Sequence, residues 1–212
     1  MTSAALALAV AFFGLTFVVR SLVHRRRTGD FGFRLSAATG AARVAGVLMT
    51  SGFIVSFGGT VAVLAAPGLM LGGSDHVVLR SAGLATMAVG MAVTAMAQRD
   101  LRASWRIGVD PTERTDLVTD GVFRSSRNPI FAGMVTFAVG AALAVASWPT
   151  LAGCLAVIAG VEIQVRLVEE PYLEQTHGPA YRTYMAEVGR FLPKIGRRSV
   201  PDPATQNDSD DV

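Results

Sequence analysis

Five long apolar runs divide the chain, and polar, arginine-rich segments separate them. A helix of about 20 apolar residues crosses the hydrocarbon core of a bilayer, so each run is a candidate transmembrane helix. We therefore predict an all-α fold, a polytopic membrane helical bundle of about five transmembrane helices followed by short cytoplasmic helices. The predicted spans are residues 4–19, 44–66, 78–97, 129–147 and 150–168.

The composition agrees with a membrane protein that has no separate soluble domain. Hydrophobic residues make up 51% of the 212 residues and charged residues 17%. In a soluble domain about a quarter of all residues are charged. We predict one integral membrane domain over residues 1–196. The remaining tail, 197–212, is acidic and rich in Pro, Asp and Ser, which predicts disorder.

The arginines indicate how the chain is oriented. Residues 20–43 contain six arginines and one acid, and residues 98–128 contain six arginines and five acids. The positive-inside rule places both loops and the C-terminal segment in the cytoplasm, with the N-terminus outside. Positive charge follows the first run instead of preceding it, so we expect a retained span in a bacterial inner membrane. Because orientation explains the arginines, we expect no nucleic-acid partner. Arg80, near the outer end of the third run, can snorkel to the interface.

Several kinds of chemistry lack the residues they need. The single cysteine, Cys154, lies within an apolar run and offers no cysteine-based metal cluster. The sequence shows no zinc-ligand spacing, no glycine-rich nucleotide fingerprint and no arrangement of nucleophile and base. We therefore expect no metal site.

Two polar stretches flank the hairpin that the fourth and fifth spans form. The first is LVTDGVFRSSRNPIFAG, residues 117–133, and the second covers residues 162–193. Asn128-Pro129 predicts a helix start, with Asn128 as a capping residue. A helix N-terminus attracts a carboxylate, and Glu169 and Glu170 at the same mouth suit an ammonium or sulfonium group. Phe123 and Phe131 could flank the flat part of such a zwitterionic ligand.

The last turns of the fifth span carry charges at helical spacing. Glu162, Arg166 and Glu170 follow one another at i,i+4, which predicts two ion pairs on one face. Such a face should look into the bundle or a wet cavity, because charge is costly in lipid. Pro171 predicts a break or kink at Glu170, followed by short helices at residues 171–176 and 179–188.

The stretch G-V-F-R-S-S-R-N-P-I-F-A-G resembles the G-x-[YF]-x-x-x-R-[HN]-P-x-[YF]-x-G motif of the isoprenylcysteine carboxyl methyltransferase family. Glu169-Glu170 with Leu173, Gly178, Tyr181 and Tyr184 resembles the second block of that family. The resemblance covers residues 98–193 and extends to the related phospholipid methyltransferases. It implies an integral membrane enzyme that uses S-adenosylmethionine.

The resemblance also implies roles for individual residues. The motif's final glycine is Gly133, and Arg166, Arg182 and Arg190 become candidates for the substrate side. Asn128 stands where eukaryotic members usually have histidine, and it cannot titrate near neutral pH. The residues implied to line the cofactor site are Arg127, Asn128, Pro129, Phe131, Glu169 and Glu170.

We therefore predict methyl transfer from S-adenosylmethionine to a lipophilic or amphiphilic acceptor at the cytoplasmic face, with membrane lipids as surroundings. Arg166 or Arg182 would hold a carboxylate acceptor, whereas Glu162 or Glu169 would accept the proton of an amine or thiol acceptor. Two alternatives stay open. One is an NADPH-dependent membrane reductase of the steroid-reductase type, whose arginines in 98–128 would bind a 2′-phosphate. The other is a small transporter or assembly protein without catalytic activity.

Overall fold

The computed structural model describes residues 1–29, 31, 40–71, 77–101 and 116–198. Residues 102–115 of the polar loop 98–128, Trp105 among them, lie outside these residues, as does the tail beyond residue 198. The α-helices of the described part are α1 (Thr2–Phe13), α2 (Arg20–Thr28), α3 (Gly40–Ala65), α4 (Val77–Asp100), α5 (Pro129–Val145), α6 (Trp148–Gln164), α7 (Glu170–His177) and α8 (Pro179–Glu187).

The predicted helical membrane bundle is confirmed, with shifted boundaries. Four helical stretches in the described residues are long and apolar enough to cross a membrane: Thr2–Arg26, Gly40–Ala65, Val77–Asp100 and Trp148–His177. The fourth predicted span, residues 129–147, corresponds to α5, a shorter apolar helix of 17 residues. At 1.5 Å per residue α5 is about 26 Å long, close to the thickness of the hydrocarbon core.

Two antiparallel helix pairs, α4 with α5 and α3 with α6, form the framework of the bundle. Glycines permit the close approach in both pairs. A Cβ atom on Gly83 would lie 2.4 Å from the backbone nitrogen of Ala144, and one on Gly153 would lie 2.4 Å from the carbonyl oxygen of Gly52. In lipid the hydrophobic effect does not drive helices together, because the acyl chains are as apolar as the side chains. Helices there associate through close packing at small residues such as these glycines.

Helix α1 packs into the middle of the bundle through aromatic side chains. Phe12 is fully buried and stacks on Phe137 of α5, with ring centroids 4.1 Å apart. Phe13 meets Phe53 of α3 edge to face at 5.2 Å. These contacts place α1 between the two helix pairs, and a π-helical turn, Gly14–Val19, continues it into α2.

The sixth helix does not break at Pro171, contrary to the prediction. Glu170 has α-helical backbone angles, φ −60° and ψ −45°. A π-helical turn, Val165–Glu169, precedes it and connects α6 to α7 as one continuous helical stretch. Pro171 has no backbone N–H, so the continuous stretch lacks one helical hydrogen bond at this position.

Arg80 does not extend away from the bundle. Its Nε donates to the carbonyl oxygen of Ala144 at 3.0 Å, and its guanidinium also donates to Oγ1 of Thr2 at 2.7 Å. It thus binds the C-terminal end of α5 to the start of α1.

Candidate active site

The structure brings the two polar stretches together at one end of the α5–α6 hairpin. The backbone nitrogen of Arg127 donates to the carbonyl oxygen of Gly189 at 2.9 Å, and that of Asn128 donates to Arg190 at 3.1 Å. Ser126 and Gly189 form a parallel bridge. The segment that enters α5 and the turn that follows α8 therefore lie side by side. We call this region the junction.

A buried ionic cluster lies at the centre of the junction. Both guanidinium groups of Arg127 and Arg190 bind the carboxylate of Glu170, which is 1% exposed. Arg127 donates to Oε1 at 2.7 Å, and Arg190 donates to Oε1 and Oε2 at 2.8 Å each. Sequence spacing does not reveal this triad, because its members come from three separate elements.

The carboxylate of Glu170 accepts three hydrogen bonds in this cluster, two at Oε1 and one at Oε2. A buried carboxylate is stable only when it is paired and hydrogen-bonded, and here two cations supply both needs. Hydrogen bonds to Glu170 raise the pKa of Arg190 above its ordinary value, so this guanidinium stays charged. Glu170 in this structure therefore holds two arginines and does not present an oxygen to an open mouth.

Arg127 also ties the junction to the chain beyond α8. Its guanidinium donates to the carbonyl oxygens of three residues, Met185, Val188 and Gly196. Its side chain is fully buried. A planar guanidinium with five donors is suited to such a role, which lysine cannot fill.

The structure corrects two expected interactions. Glu170 binds Arg127 and Arg190 instead of Arg166, because the π-helical turn breaks the i,i+4 relation between Arg166 and Glu170. Asn128 begins α5 but its side chain does not cap the helix; the amide nitrogen Nδ2 donates to the carbonyl oxygen of Arg190 at 3.2 Å.

Residues to which the sequence assigned no individual role hold the loop before α5. The carboxylate of Asp100, at the end of α4, accepts from the backbone nitrogen of Val122 at 3.1 Å. The Tyr184 hydroxyl donates to the carbonyl oxygen of Phe123 at 2.6 Å. Burial raises the pKa of Tyr184, so the phenol stays protonated and remains a donor. Ser126 joins the same region, with Oγ donating to Arg190 at 3.2 Å.

Gly121→Ala is expected to lower the free energy of unfolding by about 2 kcal/mol, the sum of left-handed strain and one lost hydrogen bond. Gly121 has φ +60°, and an added Cβ would lie 2.1 Å from Oδ2 of Asp100. Gly29→Ala is the matched control, because Gly29 has φ +81° with open space around its Cβ. Denaturant unfolding in mild detergent measures both. Equal losses would show that the Asp100 contact contributes nothing.

The predicted catalytic residues lie in two places. Glu162 and Arg166 form an ion pair on the partly exposed face that continues from α6, with side-chain exposures of 39% and 53%. The negative charge of Glu162 contributes to the raised pKa of Arg190, so this face adjoins the buried cluster. Arg182 instead lies 3.9 Å from Glu174, in an ion pair between α7 and α8.

The predicted cofactor residues are also divided. Glu169 is half-buried, and Phe131 is half-buried against the apolar core. Phe123 and Pro129 are buried at the junction. Gly133 lies between α4 and α5, where a Cβ would approach Oγ1 of Thr94 to 2.3 Å. Gly133 therefore serves the packing of α4 against α5, and it lies apart from the other predicted cofactor residues.

Two buried polar atoms near the cluster have no hydrogen-bond partner among the described residues. They are the hydroxyl of Tyr181, a residue 1% exposed, and Nε of Arg127. Burial, and then the charge of Glu170, raise the pKa of Tyr181, so this phenol is neutral at physiological pH. Unpartnered polar atoms in a folded interior are rare, and they retain the capacity to bind a polar group. Within the described residues no cluster of metal-ligating side chains accompanies them.

Comparisons with known proteins concern the fold and part of the sequence. The family model for phospholipid methyltransferases matches residues 78–180, just under half of the chain. No curated protein matches the sequence. Among solved structures, the eukaryotic intramembrane Ras methyltransferase ICMT (isoprenylcysteine carboxyl methyltransferase) has a similar fold, with a TM-score of 0.64 and 18% sequence identity. The match covers 90% of this chain and 66% of that one, just under two thirds.

The family match covers α4 to the start of α8, including Arg127 and Glu170 but not the turn with Arg190, and the structural match extends the likeness in fold to most of the bundle. The predicted resemblance is confirmed: the chain is similar to the ICMT-like and phospholipid methyltransferase-like membrane methyltransferases in sequence motif and in fold.

Proposed function

We propose that this chain transfers a methyl group from S-adenosylmethionine to a lipophilic or amphiphilic acceptor at the cytoplasmic face of a bacterial inner membrane. The observation that carries the proposal is the junction. It places a helix N-terminus, buried cations and partly exposed carboxylates at one end of an apolar hairpin, and the region that matches the phospholipid methyltransferases includes the start of α5 and the carboxylates.

The polar groups at the junction fit such a cofactor. Its carboxylate suits the N-terminus of α5. Its cationic groups suit Glu169 and Glu162, which are partly exposed, whereas Glu170 is buried and paired with two arginines. The unpartnered atoms of Tyr181 and Arg127 supply further donors for a polar ligand. When bound, the cofactor supplies an activated methyl group on a sulfonium.

The protein's part in this reaction is positioning and charge. Arg166 lies on the partly exposed face next to Arg190 and is our choice for holding an acceptor carboxylate; Arg182, paired with Glu174, is the second choice. For an amine or thiol acceptor, Glu162 or Glu169 accepts the proton. Holding both reactants in line can supply several kcal/mol of the activation free energy.

Calorimetry with S-adenosylhomocysteine tests the cofactor assignment. We expect micromolar binding to the wild-type protein in detergent, weakened at least tenfold in Glu169→Gln, because the variant loses a charge at the site. Glu174→Gln is the control, since Glu174 is a partly exposed carboxylate that pairs with Arg182 on α7–α8. The absence of heat and of thermal protection at millimolar ligand, from a folded sample, would refute the assignment.

The same sample distinguishes the alternative predictions. The NADPH-dependent reductase depends on arginines of the loop 98–128, and Arg102, Arg106 and Arg114 lie outside the described residues. Saturable binding of NADPH with no response to S-adenosylhomocysteine would favour the reductase. Failure of both ligands would leave the transporter or assembly protein.

A further inference from the structure

The turn after α8 presents an unusual surface. We call residues 191–198, FLPKIGRR, the basic turn. Leu192 and Ile195 are 57% and 63% exposed, although both are large aliphatic residues. Lys194, Arg197 and Arg198 are exposed among them. The sequence from residue 188 to residue 198 contains no acidic residue, so the turn itself supplies no counter-charge to its cations.

The basic turn is held in a defined conformation. The backbone nitrogen of Arg190 donates to the carbonyl oxygen of Ile195 at 2.8 Å, and that of Ile195 donates to Leu192 at 3.2 Å. The guanidinium of Arg127 donates to the Gly196 oxygen at 3.2 Å, and the backbone nitrogen of Arg198 donates to Met185 at 3.1 Å. The exposure of Leu192 and Ile195 is therefore imposed by the fold.

The position of the basic turn fixes its depth relative to a bilayer. The backbone nitrogens of Arg127 and Asn128 donate to Gly189 and Arg190, so the turn lies beside the residues that enter α5. α5 is an apolar helix that packs along α4 and α6, both parts of membrane-spanning stretches. The end of such a helix lies near the lipid headgroups, and so does a turn bound to it.

We propose that the basic turn is a docking surface for anionic phospholipids. Leu192 and Ile195 insert at the boundary between headgroups and acyl chains, and Lys194, Arg197 and Arg198 bind the lipid phosphates. Aliphatic residues flanked by cations are the composition that lies in a membrane interface, because the apolar groups leave water while the charges stay at headgroup level. Because Arg190 directly precedes the basic turn on the same backbone, lipid bound to the turn lies close to the buried cluster.

Charge and geometry favour lipid over a protein partner. An acidic protein surface would pair with the cations but leave Leu192 and Ile195 without an apolar partner, unless it also carried a matching groove. A bilayer offers both components at the depth where α5 begins. Cations on long side chains can reach phosphates while their stems cover apolar surface.

A tryptophan reporter tests the proposal without reference to methyl transfer. Leu192→Trp is placed in a background that carries Trp105→Phe and Trp148→Phe, and the protein is reconstituted in phosphatidylcholine vesicles with or without phosphatidylglycerol. We expect acyl-brominated lipids to quench this reporter at least twofold more than Thr183→Trp, an exposed position on α8. We also expect brominated phosphatidylglycerol to quench it more than brominated phosphatidylcholine in the same mixture.

Neutralisation of the cations separates the two parts of the proposal. In the reporter protein, Lys194→Gln/Arg197→Gln/Arg198→Gln is expected to abolish the preference for phosphatidylglycerol, and high salt should reduce it. These side chains are exposed, so circular dichroism should show an unchanged fold.

Quenching no stronger than that of Thr183→Trp would overturn insertion. Equal quenching by both brominated lipids, or a preference that survives neutralisation, would overturn recognition of anionic lipid. Loss of quenching only after addition of an acidic protein would assign the surface to a protein partner.

Discussion

Replacing Glu170 with glutamine is expected to lower the free energy of unfolding by about 3–5 kcal/mol, the usual cost of removing one partner from a buried ionic interaction. Glu170 is the carboxylate between the guanidinium groups of Arg127 and Arg190. Glutamine has nearly the same shape but carries no charge, so two buried cations would face each other without a counter-ion. One side-chain oxygen would also become an NH₂ group, which cannot accept their hydrogen bonds.

The loss should be measured by reversible denaturant unfolding in mixed micelles, with thermal unfolding as a second readout. Glu162→Gln is the matched control, because it removes the same charge from a partly exposed ion pair with Arg166. Exposed pairs contribute little, so the control should change the free energy of unfolding by less than about 1 kcal/mol. If both variants lose the same stability, the cluster around Glu170 is not a structural clamp.

The same substitution should also impair ligand binding, but by a different route from Glu169→Gln. Glu170 holds Arg190, and the carbonyl oxygen of Arg190 receives hydrogen bonds from Ser126 and Asn128 at the start of α5. Releasing the turn disturbs the whole junction. We therefore expect Glu170→Gln to lose stability and ligand affinity together, whereas Glu169→Gln loses affinity alone.

The sequence was sufficient to predict the helical bundle and the proximity of the two polar stretches. Long apolar runs have few stable arrangements in lipid, and adjacent spans joined by a short turn must form a hairpin. The stretch ending at Asn128-Pro129 and the stretch around Glu169 flank that hairpin, so they must share one end of it. The structure places them there.

The pairing inside the junction could not be predicted in the same way. The i,i+4 rule assigns Arg166 to both Glu162 and Glu170, but the π-helical turn removes Glu170 from that face. Its partner Arg190 comes from a turn twenty residues further along the chain. Spacing describes regular helices, and it carries no information on which distant loop returns to a given side chain.

The roles of individual glycines could not be predicted from the sequence either. Gly133 ends a motif that implies a cofactor site, yet its Cβ position is filled by Thr94 of α4. Whether a glycine serves a ligand or a neighbouring helix depends on the opposing surface. That surface is set by helix pairing, which the hydrophobic pattern leaves open among five spans of similar composition.

Gly90→Ala tests the role of the neighbouring helix at the centre of the bundle. A Cβ on Gly90 would lie 2.4 Å from the backbone nitrogen of Phe137 and 2.6 Å from the carbonyl oxygen of Gly133. Backbone atoms of α5 cannot rotate aside as a side chain can, so α4 and α5 must separate. Overpacking typically costs about 1–3 kcal/mol, and here we expect about 3 kcal/mol because contacts along the whole pair are lost.

Gly58→Ala is the control, because it makes the same change in helix propensity without a steric contact. Gly58 lies within α3 with open space around its Cβ, and alanine is a better helix former than glycine by about 1 kcal/mol. Unfolding in mixed micelles should therefore show a small gain for Gly58→Ala and a large loss for Gly90→Ala. A gain in both would mean that α4 and α5 do not approach as closely as their glycines allow. Gly90→Ala should also destabilise the junction, because Asp100 at the end of α4 and Asn128 just before α5 both form hydrogen bonds there.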